Sequence, residues 1–187
     1  MRLFILAAGV GSRLFPLTKD KPKSLIDLGD GTTLLDRQIK NAVSCDSISE
    51  VVVITGYKSE QIDKKIKQYK ERIKIKTLYN PYYEISNNLM SLWVANSLMK
   101  KSDFLISNGD NLYKPGLYDK IIAEAPKSTI QITLDHKDHY DEDDMKIQFD
   151  DDNRIMRIHK DIPLKKSRAE SVGLVIVKGK KKRKLFI

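Results

Sequence analysis

The feature that most constrains the fold is a steady alternation between short apolar runs and segments whose apolar residues recur every three or four positions. The runs Arg2–Ala7 and Val51–Thr55 are continuous and are followed by glycines, which is typical of strands buried on both faces. Between them, Leu34–Val43 carries a helical apolar stripe. Strands and helices in alternation predict an α/β fold with a mostly parallel sheet and helices on both faces.

The same criteria assign elements along the rest of the chain. The predicted strands of this Rossmann-like sheet are Arg2–Ala7, Val51–Thr55, Ile73–Leu78, Asp103–Ser107 and Thr129–Leu134. The predicted helices are Leu34–Val43, Ser59–Lys70 with Ser59 as N-cap, Asn88–Leu98 and Pro115–Ala123. After Asp135, three short charged strands predict a small antiparallel extension: Lys146–Asp150, Ile155–His159 and Ser171–Val177. With no internal repeat or linker, we expect one domain over residues 1–187.

The net charge of +9 raises the question of nucleic-acid binding, and its distribution argues against it. Six of the positive charges lie in residues 178–187, and without them the net charge is about +3. No aromatic residues are interleaved with these cations, so we expect a solvated basic tail rather than a nucleic-acid site.

The N-terminal apolar run is too short for a signal peptide, because it ends at once in the sequence GVGSR. No run approaches the roughly 18 apolar residues of a membrane span. The single cysteine, Cys45, excludes an internal disulfide and a cysteine-rich metal site. We therefore expect a cytoplasmic protein without a membrane partner.

The segment after the first strand carries the chemistry. It has the sequence LAAGVGSRLFPLT over residues 6–18 and continues to Pro22 and Lys23. Gly9 and Gly11 lack Cβ atoms, so the backbone N–H groups of the turn can approach phosphate oxygens closely. Arg13 and Lys23 add two cations, and a buried parallel strand delivers such a loop to the sheet edge where ligands bind. The pattern predicts a triphosphate site, and its spacing matches neither a P-loop nor a dinucleotide fingerprint.

The whole string resembles the signature of the sugar-phosphate and choline-phosphate nucleotidyltransferases, which runs LAAGxGxRLxPLT and then Pro-Lys. The segment after Asn80, with the sequence NPYYEISNNLMSL, is similar to a motif of the choline-phosphate branch. The sequence NGDN at residues 108–111 stands where this family keeps a metal-binding aspartate. Two late segments, around Lys146 and Lys160, resemble motifs of phosphocholine and aminoethylphosphonate cytidylyltransferases.

The resemblance implies roles for particular residues. Lys23 and Arg13 would act in catalysis by contacting the phosphates of the nucleoside triphosphate. Asp110 would hold Mg²⁺. Asn87, Lys146 and Lys160 would bind the second substrate. The residues expected to bind the nucleotide are Leu6, Ala7, Ala8, Gly9, Gly11, Ser12, Arg13, Lys23, Gly56 and Asn88.

Several of these residues have simpler interpretations. Asp110 suits a turn after a strand, and Lys146 a salt-bridged surface lysine. Either Asn87 or Asn88 suits the N-cap of the helix that begins there. Trp93, on the same helix, is more typical of a core residue than of a ligand contact.

The resemblance implies transfer of CMP from CTP to a small phosphorylated substrate such as phosphocholine or a phosphono-amine, with release of pyrophosphate. A sugar-1-phosphate nucleotidyltransferase that uses UTP, CTP or dTTP is the second hypothesis, and a catalytically weak NTP-binding module the third. The third arises because the family usually carries a second metal aspartate in a C-terminal segment, and this sequence ends soon after Val177.

Overall fold

The computed structural model describes residues 1–152 and 154–186. The chain divides into two compact units. The first comprises Met1–Gln131 and the residues from Ile176 onward, and the second is Ile132–Val175.

The first unit is built on a parallel sheet whose strands have the order β3-β2-β1-β4. The register is regular: Leu3 of β1 pairs with Val51 of β2 and with Leu105 of β4, and Val51 pairs with Ile75 of β3. All six residues of β2 are buried, as expected for a strand covered on both faces. The mostly parallel α/β fold is therefore confirmed. The strands are β1 (Arg2–Ala7), β2 (Glu50–Thr55), β3 (Lys74–Tyr79) and β4 (Phe104–Asn108).

Helices connect these strands, as the apolar periodicity predicts. Helix α1 begins with a capping box, in which Thr33 accepts from the backbone N–H of Asp36 and the Asp36 carboxylate accepts from Thr33. The predicted N-cap of α2 is wrong, because Ser59 is the first helical residue and Lys58, at φ 47°, precedes it without a side-chain cap. The helices of the first unit are α1 (Leu34–Val43), α2 (Ser59–Ile66), α3 (Asn88–Met99), α4 (Leu117–Glu124) and α5 (Lys180–Phe186).

The basic tail forms α5 and is not wholly solvated, contrary to expectation. Arg183 donates to the carboxylate of Asp103, and the ring of Phe186 packs at 5.7 Å from that of Phe104. The lysines at positions 180, 181 and 184 remain exposed. No helix among the described residues is long and apolar enough to cross a membrane.

The second unit contains the predicted antiparallel strands. Strand β6 (Lys146–Phe149) pairs antiparallel with β7 (Ile155–Ile158) and with β8 (Ala169–Lys178). Strands β5 (Thr129–Asp135) and β8 pair with each other, and each runs from one unit into the other. The antiparallel extension is confirmed.

Candidate active site

Three loops meet where β1, β2 and β4 end. The register pairs Ala7 with Thr55 and Leu6 with Asn108, so the three strands reach the same edge of the sheet. Backbone hydrogen bonds then join the loops: Gly109 N donates to Leu6 O at 2.8 Å, and Tyr57 N donates to Ala8 O at 3.0 Å. Carboxyl edges of parallel strands are where α/β folds place ligands. This edge is the candidate active site.

The loop after β1 is open at Gly9 and tightly folded at Gly11. A Cβ on Gly9 would meet nothing within 4 Å, whereas one on Gly11 would lie 3.1 Å from both Lys23 Cβ and Thr18 Cγ2. Gly11 also has a φ of 71°, which strains any residue with a side chain. The buried Thr18 donates its hydroxyl to Gly11 O at 2.9 Å. The glycine turn is thereby folded back against the stem of Lys23.

The other predicted nucleotide-binding residues of this loop differ in exposure. Ala7 and Ala8 are buried at the end of β1, and Leu6 is half-buried. Ser12 and Arg13 are exposed on a single 3₁₀ turn, Ser12–Leu14. The loop therefore presents its open glycine and its arginine on an accessible surface beside the sheet edge.

Lys23 and Asp110 are brought into direct contact. Their ammonium and carboxylate groups are 2.5 Å apart, although the residues are separated by 87 positions in sequence. Each side chain keeps about a third of its surface exposed, at 31% and 36%. The pair is therefore open to a ligand rather than sealed in the core. The structure places together the two residues to which the sequence assigned charge neutralisation and metal binding.

Asp110 lies in a turn that is held in place by contacts with β1 and α1. A Cβ on Gly109 would lie 2.5 Å from Leu6 O, so the turn lies against β1 closely enough to require glycine. The fully buried Gln38 of α1 donates to the carbonyls of Asn108 and Asn111 at 2.9 and 2.8 Å. Gln38 also accepts a hydrogen bond from Ser107 at 2.9 Å. A carboxylate on a turn fixed in this way has a preorganised position.

No sequence motif predicts the role of Gln38, although a signal is present. It is a polar residue beside Ile39 within the buried stripe of α1. A buried amide must satisfy its donors and acceptor, so an amide in a core stripe indicates backbone groups that it fixes. Here those groups are the two carbonyls that flank Gly109 and Asp110.

Gly56, also predicted to contact the nucleotide, is a packing site. A Cβ there would lie 2.5 Å from Tyr83 Cβ and 2.7 Å from Ala8 O. It lets the segment that carries Tyr83 approach the end of β1. The buried Asn80 fixes that segment, since it donates to Ser91 at 3.1 Å and accepts from Tyr82 N at 3.0 Å.

Asn87 and Asn88 lie at the start of α3. Asn87 is the N-cap, and its side chain accepts a hydrogen bond from Leu89 N at 2.9 Å. The capping interpretation is confirmed for Asn87, while Asn88 is the first helical residue. Trp93 is 65% exposed, so its assignment to the core is wrong.

Lys146 and Lys160 lie in the second unit and share a cleft of about 480 Å³. Lys146 is only 1% exposed, so it is not a surface lysine. Its ammonium donates to the carbonyls of Asp141 and Glu142 at 3.0 and 2.8 Å. Lys160 is half-exposed and pairs with Asp143 at 3.0 Å. The two lysines therefore occupy different environments.

The residues at the sheet edge fit a magnesium ion that is held by a single protein carboxylate. No cluster of three or more His, Cys, Asp or Glu side chains within residues 1–152 and 154–186 is arranged to hold a metal. Mg²⁺ is commonly held by one or two carboxylates together with water and substrate phosphates. Asp110 supplies one carboxylate, which fits a Mg²⁺ ion that shares its coordination with a nucleotide.

Comparison with known proteins identifies the family. The nucleotidyl transferase family model matches residues 3–159. This chain belongs to the nucleotidyl transferase family.

Among curated relatives, the CTP:phosphoglutamine cytidylyltransferase of Campylobacter jejuni is 32% identical over 138 residues, 71% of this chain and 52% of that protein. The choline-phosphate cytidylyltransferase of Streptococcus pneumoniae is 32% identical over 114 residues, 61% of this chain and 47% of that protein. The UTP–glucose-1-phosphate uridylyltransferase of Haloferax volcanii is 30% identical over 121 residues, which are 65% of this chain and 48% of that protein. The chain spans about half the length of these relatives.

Solved structures show the same fold. The inositol-1-phosphate CTP transferase of T. maritima superposes with a TM-score of 0.77 at 22% identity, covering 98% of this chain and 72% of that one. The CTP:phosphocholine cytidylyltransferase of Streptococcus pneumoniae gives a TM-score of 0.67 at 24% identity, with coverages of 98% and 73%. The predicted family and α/β architecture are confirmed.

Proposed function

We propose that this chain is a Mg²⁺-dependent cytidylyltransferase that moves CMP from CTP onto a small phosphorylated amine or phosphono-amine. The contact between Lys23 and Asp110 carries the proposal, because it places a cation and a carboxylate beside a glycine loop at a ligand-binding edge. Membership of the nucleotidyl transferase family gives the reaction class. Relatives that act on phosphoglutamine and on choline phosphate support the choice of CTP and of a phosphorylated amine.

In the proposed reaction an oxygen of the substrate phosphate forms a bond to the α-phosphorus of CTP. The bond between that phosphorus and the pyrophosphate oxygen breaks, and pyrophosphate leaves with the electron pair. Such a transfer requires in-line positioning and charge neutralisation rather than a protein nucleophile. Lys23 would stabilise the charge that grows on the phosphates, and Arg13 would hold their outer oxygens.

Asp110 would hold Mg²⁺, which when bound neutralises phosphate charge as a Lewis acid. The remaining roles belong to backbone and polar groups of this chain. The open backbone at Gly9 would admit the nucleotide, and Asn88 would contact it from the start of α3. Lys160 would bind the substrate phosphate, with Lys146 beside it in the same cleft.

The test is pyrophosphate release from each NTP with Mg²⁺, with phosphocholine, aminoethylphosphonate or a hexose 1-phosphate as acceptor. We expect turnover with CTP and an amine-bearing acceptor. Turnover with UTP or dTTP and a hexose 1-phosphate would contradict the proposed substrates and support the second hypothesis, which the Haloferax volcanii relative favours.

Thermal shift tests the third hypothesis, that the chain is a catalytically weak NTP-binding module. A ligand that binds only the folded state raises the melting temperature. If CTP with Mg²⁺ raises it but no acceptor gives pyrophosphate, the chain is an NTP-binding module and the proposed catalysis is wrong.

A further inference from the structure

A cleft lined by several lysines lies in the first unit, away from the contact between Lys23 and Asp110. It has a volume of about 480 Å³, within the roughly 300–1,000 Å³ of small-molecule sites. The segment that returns from the glycine loop forms one wall, with Lys21, and α2 with its following turn forms the other. The polar residues that line it are Lys21, Thr33, Gln61, Lys64, Lys65 and Gln68.

The charge of Lys65, one of the three lysines that line the cleft, is neutralised by an ion pair. Asp36 is buried, and its carboxylate pairs with Lys65 at 2.7 Å and accepts from the hydroxyl of Tyr69 at 2.5 Å. Burial alone would raise the pKa of Asp36, but the hydrogen bonds from Lys65, Tyr69 and Thr33 together outweigh it and lower that pKa. Asp36 therefore stays ionised at neutral pH, and its charge cancels that of Lys65.

The two remaining lysines leave the cleft with a net positive charge. Within residues 1–152 and 154–186, the ammonium groups of Lys21 and Lys64 make no hydrogen bond or ion pair, and both residues are exposed. Gln61 donates one N–H to Asp20 O at 2.8 Å, and Gln68 one to Asp36 at 3.1 Å. Each amide carries a second N–H that can be donated to a ligand.

We propose that this cleft binds a small phosphorylated anion, separately from the nucleotide site. Two unpaired ammonium groups match the charge of a phosphate monoester, which carries about two negative charges at neutral pH. The second N–H groups of Gln61 and Gln68 suit its remaining oxygens.

The position of the cleft links it to the candidate active site. The buried Pro22 separates Lys21, which lines the cleft, from Lys23, whose stem lies against Gly11. The same segment is tied to α2 by the bond from Gln61 to Asp20 O. An anion held by Lys21 and Lys64 would fix the segment that carries Lys23, so the site would act as an effector site.

The test is a titration of ¹⁵N-labelled protein with inorganic phosphate, followed by NMR. The signals to follow are the side-chain amides of Gln61 and Gln68 and the backbone amide of Lys21. In the wild type we expect these signals to shift saturably. In Lys21→Gln/Lys64→Gln the affinity should fall about tenfold, as the loss of two partly exposed ion pairs implies.

Two controls decide the interpretation, and neither requires turnover. The double variant Lys67→Gln/Lys70→Gln removes the same charge from exposed lysines that do not line the cleft, and it should bind phosphate within about twofold of the wild type. Equal weakening in both double variants would show a net-charge effect and overturn the proposal. Loss of the Gln61 and Gln68 shifts in Lys23→Ala would also overturn it, since the anion would then lie at the nucleotide site.

Discussion

Lys23 and Lys146 are both predicted to bind phosphate, yet the structure places them in opposite environments. Lys23 is half-buried, and its ammonium contacts a carboxylate 87 residues away at a sheet edge. Lys146 is 1% exposed, and its ammonium donates to carbonyls only four and five residues before it. A ligand can reach the first, while the second already stabilises its own loop. Motif resemblance predicts the same role for both lysines, and only their packing distinguishes an accessible ammonium group from one that stabilises its own loop.

The largest effect on turnover is expected for Lys23→Ala. Removing one donor from a preorganised site that stabilises developing charge costs on the order of 10²–10³ in rate. The melting temperature should change little, because the Lys23 side chain is partly exposed and contributes one surface ion pair. Pyrophosphate release and thermal melting are measured together, with Lys19→Ala, an exposed lysine of the same loop, as the matched control. A rate loss below about tenfold would place Lys23 with surface lysines.

Lys146→Met should lower stability and have little effect on turnover. It keeps the length of the side chain but leaves the carbonyls of Asp141 and Glu142 without their donor, which costs about 1–3 kcal/mol of unfolding free energy. Denaturant unfolding measures this loss, and turnover is compared at a temperature where both proteins are folded.

Lys160→Met is the partner variant for that experiment. Its ion pair with Asp143 is exposed, so stability should change by less than about 1 kcal/mol while KM for the acceptor rises. If Lys146→Met leaves stability unchanged and raises that KM instead, both lysines belong to the substrate site and the contrast with Lys23 fails.

A smaller effect is expected at the start of α3. Asn87→Ala should cost about 1 kcal/mol of stability, because it removes the side chain that accepts from Leu89 N. Asn88→Ala, one residue inside the helix, should cost no more than a few tenths of a kcal/mol and should instead raise KM for the nucleotide. Equal stability losses in the two variants, measured by thermal melting, would remove the distinction between cap and ligand contact.

Much of the fold follows from sequence because its signals are local. The strand Arg2–Ala7 and the helix Leu34–Val43 have the predicted bounds, since a short apolar run that leads into a glycine turn and a helical apolar stripe are both patterns of neighbouring residues. The contact of Lys23 with Asp110 is also foreseeable in outline, because loops after parallel strands meet at one edge.

Two of the misses have a different cause, which is long-range packing. Gln38 fixes the Asp110 turn through carbonyls about 70 residues away, and no local pattern specifies that pairing. Trp93 is exposed although its helix is apolar on most faces, so periodicity alone does not identify the buried side. The third miss is local: Ser59 is the first residue of α2, and Lys58 before it adopts a left-handed backbone conformation without a side-chain cap.

We propose that Asp110, held beside Lys23, provides the carboxylate for a catalytic metal. The most direct measurement is pyrophosphate release across a Mg²⁺ titration for wild type, Asp110→Asn and Asp46→Asn, the last an exposed carboxylate outside the site. Asparagine preserves the turn but offers the metal only a neutral oxygen. We expect Asp46→Asn to follow the wild type and Asp110→Asn to lose Mg²⁺-dependent turnover while its melting temperature is retained. If the Asp110→Asn and wild-type curves coincide where the wild type is active, Asp110 is a turn residue and the metal assignment is wrong.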